Sequence, residues 1–162
     1  MVEPRRDPSI VSAVMRRVRS VDTAPEMALR RELHRRGLRY RVHDNGLPGK
    51  PDLVFRTARL AVFIDGDFWH GWRFPLWKHR LPSFWRRKIA SNRERDLRNL
   101  RKLARRGWKV VRIWEHQVEK DALQCLSRIA RALGSEGVDW GEIAAAYAEL
   151  PRLKRRNRLP RP

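Results

Sequence analysis

Apolar positions along this chain recur at two periods, about 3.6 residues and two, and the switches between them mark the elements. Val14, Met15 and Val18 give residues 12–19 a short helical face. Thr23-Ala-Pro-Glu26 then has the form of a capping box: the threonine hydroxyl accepts from the backbone three residues on, and the glutamate reaches back. Pro25 fits there, because a first-turn N–H has no intrahelical partner to lose. The helix this opens is predicted to run to about His34 and stop before Gly37, with Leu29 and Leu33 inward. Residues 39–43 alternate and read as a strand, and residues 44–49 (Asp-Asn-Gly-Leu-Pro-Gly) are turn chemistry. Residues 51–55 and 59–64 are two more strands, and the short link between them predicts a hairpin.

Residues 66–82, rich in Trp with Pro75 and Pro82, read as irregular. From Ser83 a long amphipathic helix begins, with Trp85, Ile89, Leu97, Leu100, Leu103 and Ala104 near helical spacing and Gly107 at its end. Residues 108–114 alternate as a buried strand, with Trp108, Val110, Arg112 and Trp114 on one face. Helices are predicted over 119–133, ending at Gly134, and over 139–150, before a basic tail. The order α, β, β, β, α, β, α implies an α/β protein, a small mixed sheet flanked by helices. The expected organisation is one domain over 1–134, including an N-terminal helical arm, and a C-terminal helix with its tail over 135–162.

Charge narrows the partner. The chain of 162 residues carries 38 Lys or Arg against 18 Asp or Glu, a net charge of +20. That excess predicts a polyanionic partner, nucleic acid first, since each neutralised phosphate releases counterions. It is concentrated: residues 72–113 hold fifteen basic residues against Glu94 and Asp96, and residues 151–162 add six basic residues and no acid. Seven Trp and 41% hydrophobic residues still suffice for a core. No apolar stretch approaches the roughly 20 residues of a membrane-spanning helix. The first ten residues lack an apolar leader core, so no signal peptide is expected. A lone cysteine, Cys125, excludes an internal disulfide framework and a cysteine-cluster metal site, and the expected setting is a reducing cytosol.

The candidate chemistry lies at strand ends. Asp52 opens one strand, and Asp65 and Asp67 end the next. A single aspartate there is ordinarily a solvated turn residue. In a hairpin, however, these ends converge, and converging acids in a basic protein suit a hard cation such as Mg²⁺. A nuclease needs a metal to polarise the phosphate and a base to activate water, and His70, five residues past Asp65, is the candidate base. Phe68, Trp69, Trp72, Trp77 and Trp85 crowd into eighteen residues. Such rings either fill a small core or contact DNA, by stacking or by wedging into opened steps. The sequence leaves both readings open for Trp85 and favours contact for Phe68 and Trp69. His34 and His43 read as surface or core residues, His116 as ambiguous, and Cys125 as a small core residue.

Leu47-Pro-Gly-Lys-Pro-Asp52, Val62-Phe-Ile-Asp-Gly-Asp-Phe-Trp-His70, Phe84-Trp-Arg-Arg-Lys-Ile-Ala-Ser-Asn92 with Arg95-Asp96, Gly107-Trp, and Arg112-Ile-Trp-Glu115 follow in this order. In combination they resemble the very short patch repair (Vsr) DNA mismatch endonucleases over roughly residues 8–133. The resemblance implies a restriction-endonuclease-like fold and nicking of one strand 5′ of a mispaired thymine in a T·G mismatch. It implies that Asp52 binds Mg²⁺, that Ile64 offers a main-chain carbonyl to a metal, that His70 activates water, and that Glu26 is a supporting acid. Phe68, Trp69 and Trp85 match the aromatics that wedge into DNA, and Met15 and Val18 match an arm on the minor-groove side. Arg86, Arg87 and Lys88, in the densest basic stretch, are expected to contact phosphates.

The pattern departs from the family at a structural zinc held by Cys and His. Asp67 stands where one cysteine is usual, Trp72 to Phe74 offer no ligand, and His116 stands where the cysteine after Trp-Glu belongs. No structural zinc is expected, with Trp72, Phe74 and Trp77 packing in its place. The expected protein is a monomeric, Mg²⁺-dependent endonuclease acting on mismatched double-stranded DNA, with mismatch-repair proteins as further partners and no membrane. The alternatives are a related nuclease with another target, as in restriction or host defence, and a silent DNA-binding protein. Acids set against phosphates argue against the silent binder.

Overall fold

A computed structural model describes residues 21–134. Predicted features at Met15, Val18, the 12–19 helix, the 139–150 helix and the tail lie outside them. The elements are α1 (Ala24–Arg35), β1 (Arg41–Val42), β2 (Leu53–Phe55), β3 (Leu60–Asp65), α2 (Phe74–Trp77), a 3₁₀ turn (Lys78–Arg80), α3 (Ser83–Arg105), β4 (Lys109–Trp114) and α4 (Glu115–Leu133). The strands lie in the order β1-β2-β3-β4. β1/β2 and β2/β3 are antiparallel, and β3/β4 are parallel, with Phe63 opposite Arg112 and Asp65 opposite Trp114. This is the mixed α/β sheet, flanked by helices, that the residue pattern implied.

β2 and β3 are buried on both faces, which explains their unbroken apolar runs. Leu53, Phe55, Leu60, Val62 and Ile64 face one core, shared with Leu29 and Leu33 of α1 and Leu126 and Ile129 of α4. Val54, Ala61 and Phe63 face a second, closed by Leu103 of α3. A third, small cluster of Phe74, Leu81 and Ile89 packs the 66–90 region against α3, with Phe68, Trp77 and Trp85 partly buried around it.

Four expectations change. The 39–43 strand shrinks to Arg41–Val42, an exposed edge pair. Residues 66–82 contain one helical turn and the 3₁₀ turn. The last described helix begins at Glu115, directly after β4, and bends at Asp121 (φ −156°, ψ 82°); no Gly or Pro announces that start. On α3, Leu97 and Ala104 point to solvent. The buried stripe instead runs from Ile89 through Asn92 to Leu103, with half-buried Asp96 and Asn99 between them. Polar residues inside a packed stripe cost stability unless satisfied, so they point to a site.

Gly71 shows how tightly this region is built. Its φ is +66°, and an added Cβ would lie 2.9 Å from both Arg93 Cδ and Ile89 Cγ2. Gly37 has φ +73° with nothing among the described residues within 4 Å of an added Cβ. Gly37→Ala should therefore cost about 1 kcal/mol, the left-handed backbone penalty alone. Gly71→Ala adds the clash and should cost clearly more in urea denaturation. Equal losses would show that the loop has room to yield.

Candidate active site

The ends of β2 and β3, the first turn of α1, the loop after β3 and the middle of α3 line one open cleft of about 780 Å³. Glu26, Asp52, Ile64, Asp65, His70 and Asp96 all contribute to it. The sequence candidates are therefore brought together, because the hairpin sets the start of β2 beside the end of β3. The backbone N–H of Asp52 donates to the Val62 carbonyl at 3.0 Å, and its carboxylate accepts from the Ile64 N–H at 2.7 Å.

Among the described residues, no basic side chain is in hydrogen-bond contact with Asp52. Burial pushes its carboxyl up to about 7; the Ile64 N–H opposes this, while the charges of Glu26 and Asp65 add to it. A buried carboxylate facing two more acids, with only the charge of Arg30 opposing them, fits a hard cation, which would take Asp52 and the Ile64 carbonyl and leave other positions to water and phosphate. Among the described residues no three His, Cys, Asp or Glu side chains form a ready metal cage.

Glu26 is nearly fully buried and already engaged. Its carboxylate accepts from the Thr23 hydroxyl (3.0 Å), the Asp22 N–H (3.0 Å) and the Arg30 guanidinium (3.2 Å). The capping box thus forms in altered shape, with Glu26 reaching one residue further back than Thr23. Glu26 lines the cleft with Asp52 and is among the influences that raise the Asp52 carboxyl.

His70 is held through one nitrogen. Its Nδ1 lies 2.6 Å from Asp96 Oδ2 and 3.4 Å from Asp65 Oδ1. An ionised carboxylate only accepts, so Nδ1 carries the hydrogen and Nε2 is left for the cleft. Burial alone would lower the His70 pKa; the Asp96 hydrogen bond and the Asp65 and Asp96 charges outweigh it, and the net shift is upward. Burial raises Asp65, against the charges of His70 and Arg112. Burial would also raise Asp96, but the His70 hydrogen bond and Arg112 hold it below the ordinary value. The sequence assigns neither Asp96 nor Arg112 a role: both stand in the family-like motifs, Asp96 also as one of two acids in the basic stretch and Arg112 as a face position of β4. The signal for Asp96 was its place, with Asn92, on the stripe between Ile89 and Leu103.

The aromatics form one cluster. Phe68 packs edge-on against Trp69 (5.5 Å) and Trp85 (5.8 Å) and stacks on Trp77 (5.9 Å). Trp69 lines the cleft, and Trp85 meets it at 5.7 Å. Trp85 is therefore both packed and partly accessible. Phe84, present in the family-like motif but given no role by the sequence, is 61% exposed beside it. Arg86, Arg87 and Lys88 are exposed on the next turn of α3, and Lys88 also lines the cleft. Asp67 pairs with His116 (2.6 Å), and Trp72 packs on the His116 ring (4.8 Å). His34 is exposed. His43 lies 3.4 Å from Asp22. Cys125 is a buried core residue, its thiol pushed by burial to about 11.

A family model described as "DNA mismatch endonuclease Vsr" matches residues 5–75. The chain is 46% identical over 105 residues to the type II nicking enzyme V.XorIIP of Xanthomonas oryzae pv. oryzae, covering 63% of this chain and 76% of the relative. It is 38% identical over 124 residues to the type II nicking enzyme V.NmeAIP of Neisseria meningitidis serogroup A, covering 74% and 86%. It is 40% identical over 113 residues to the DNA mismatch endonuclease Vsr of Escherichia coli K12, covering 67% and 71%. No helix among the described residues is long and apolar enough to cross a membrane.

Proposed function

The chain belongs to the Vsr family and is a DNA endonuclease, and from that premise we propose that it nicks one strand of duplex DNA beside a T·G mismatch with Mg²⁺ at Asp52. Membership of this family sets aside the silent binder. The observation that carries the reading is the cleft itself: under-neutralised Asp52 and an oriented His70 share it with an aromatic face at Trp69. Bound there, Mg²⁺ would polarise the scissile phosphate and offset its charge. Asp52 and the Ile64 carbonyl would hold it. His70 Nε2 takes a proton from water, whose oxygen bonds to phosphorus as the bond to the leaving sugar oxygen breaks. Asp96 keeps the other imidazole nitrogen as donor throughout.

Two relatives are called nicking enzymes rather than mismatch enzymes, so a nick at another site is the second reading. Matched and T·G-bearing duplexes in varied flanking contexts, incubated with Mg²⁺, separate the two. Preference for T·G duplexes supports mismatch repair; equal cutting of matched duplex overturns it.

We further propose that the fold needs no structural zinc. The Asp67–His116 pair and the Trp72 ring tie the loop after β3 to α4 without one.

The aromatic face and the basic helix should separate selectivity from affinity. A mismatch opens at lower cost than a paired step, so a wedge turns weak pairing into preference. Phe68→Ala or Trp69→Ala should reduce the preference for mismatched duplex. Neutralising Arg86, Arg87 and Lys88 together should weaken all duplexes alike and flatten the log affinity–log salt slope by up to about 0.9 per lost phosphate contact. Equal weakening of matched and mismatched binding by the aromatic changes, with folding intact, would remove Phe68 and Trp69 from the wedge.

A further inference from the structure

We propose that Arg112 is a positioning residue for the strand cut, a bridge that holds Asp65 and Asp96 together around Nδ1 of His70. The inference rests on the assignment of His70 as base. Arg112 stands on β4, opposite Phe63 in the parallel pair. Its Nε donates to Asp65, and a terminal nitrogen donates to Asp96 Oδ2 at 3.2 Å. Asp96 Oδ2 is the oxygen that accepts from His70 at 2.6 Å, and Asp65 Oδ1 lies 3.4 Å from the same imidazole nitrogen. Two carboxylates converging on one nitrogen repel each other. A guanidinium spanning both, with its donors fixed in a plane, is the group that keeps them there as ions.

The bridge is itself held. The guanidinium carbon lies 4.6 Å from the Trp114 ring centre. Trp114 packs on Trp72 (4.9 Å), Trp72 on His116 (4.8 Å), and His116 pairs with Asp67 (2.6 Å). Asp67 and His70 lie on one loop, so this stack ties the loop that carries the base to the strand that carries the bridge. With two nitrogens engaged by acids and one face covered by Trp114, Arg112 is committed to the protein rather than to a phosphate. Its role is therefore separable from affinity.

The test compares Arg112→Gln, Arg112→Lys, His70→Ala and Arg98→Gln, the last removing a charge of the same sign from the exposed face of α3. Single-turnover nicking of a T·G duplex with Mg²⁺ gives the rate, anisotropy without metal gives duplex affinity, and side-chain ¹⁵N spectra give the His70 tautomer. Displaced positioning groups typically cost about 10- to 100-fold. Arg112→Gln should slow nicking at least about ten-fold, lose no more affinity than Arg98→Gln, and mix the His70 tautomers that are fixed in the wild type. Arg112→Lys should also be slow, because one ammonium cannot fork to both acids; it decides the matter if Arg112→Gln does not fold. A rate for Arg112→Gln equal to that of Arg98→Gln, or full activity in Arg112→Lys, overturns the bridge. If His70→Ala is slow and Arg112→Gln is not, the bridge alone fails. If His70→Ala cuts at the wild-type rate, the base assignment fails and the bridge falls with it.

Discussion

Asp52→Ala will abolish Mg²⁺-dependent nicking, by on the order of 10³-fold or more, while duplex affinity stays near wild type. A Lewis acid on a phosphate contributes several kcal/mol to the transition state, and each ~1.4 kcal/mol is ten-fold in rate. Binding should survive, because losing an acid only strengthens the positive field that attracts DNA. The same residue makes an independent prediction about stability. Its carboxyl is raised from 3.8 to about 7 in the fold, chiefly by burial. The folded state thus binds the proton more tightly than the unfolded chain. Below pH 3.8 both states are protonated and the group costs nothing by this route. Between 3.8 and about 7 stability declines as pH rises, and above 7 the full cost of the buried charge remains. Asp52→Asn, which removes that charge, should raise Tm at pH 8 without divalent ions. Mg²⁺ should raise the wild-type Tm, by mass action on the folded state, and leave the Asn variant unmoved. Full cleavage by Asp52→Ala would sink the assignment. A lower Tm for Asp52→Asn at pH 8 would show that the carboxylate is structural.

What the sequence made legible was whatever repeats or ends sharply. The Thr23–Glu26 cap, the 51–64 hairpin and the Gly107 stop came from local chemistry, and the hairpin alone predicted that Asp52 and Asp65 would converge. Residues whose meaning depends on a distant partner were not legible. Asp96 sits mid-helix among basic residues, and only the path of α3 across the sheet brings it to His70, 26 residues earlier. Arg112 alternates correctly on β4, but alternation gives a face and not a neighbour. Glu26 was legible as a cap, while Arg30, which completes its set of partners, came into view only with the helix folded. Leu97 and Ala104 fit an apolar stripe by spacing yet face solvent, because the buried stripe gives way to Asn92 and Asp96 where the cleft begins. The helix after β4 starts at Glu115, before residue 119, because its start is set by a strand ending and not by a turn residue.

His70→Ala should lower the single-turnover rate by about 10²-fold or more, the usual contribution of a general base, with affinity nearly unchanged. The pH profile gives the sharper test, because its sign is fixed by the contacts. As a base His70 acts only when neutral. Its pKa lies above the ordinary 6.5: burial pulls it down, but the Asp96 hydrogen bond and the Asp65 and Asp96 charges pull it up further. Nicking at saturating Mg²⁺ should therefore be slow at pH 6 and climb as pH rises past 6.5, levelling off once the imidazole has lost its proton. Asp96→Asn removes the hydrogen bond to an ionised partner, the largest of the upward influences. Two changes should then appear together: the acid limb moves to lower pH, and the plateau falls because Nδ1 is no longer fixed as donor. A group that merely packed against His70 would lower the plateau without moving the limb. An unshifted limb in Asp96→Asn would therefore remove Asp96 from the charge balance of the base, and a wild-type plateau in His70→Ala would make the imidazole structural.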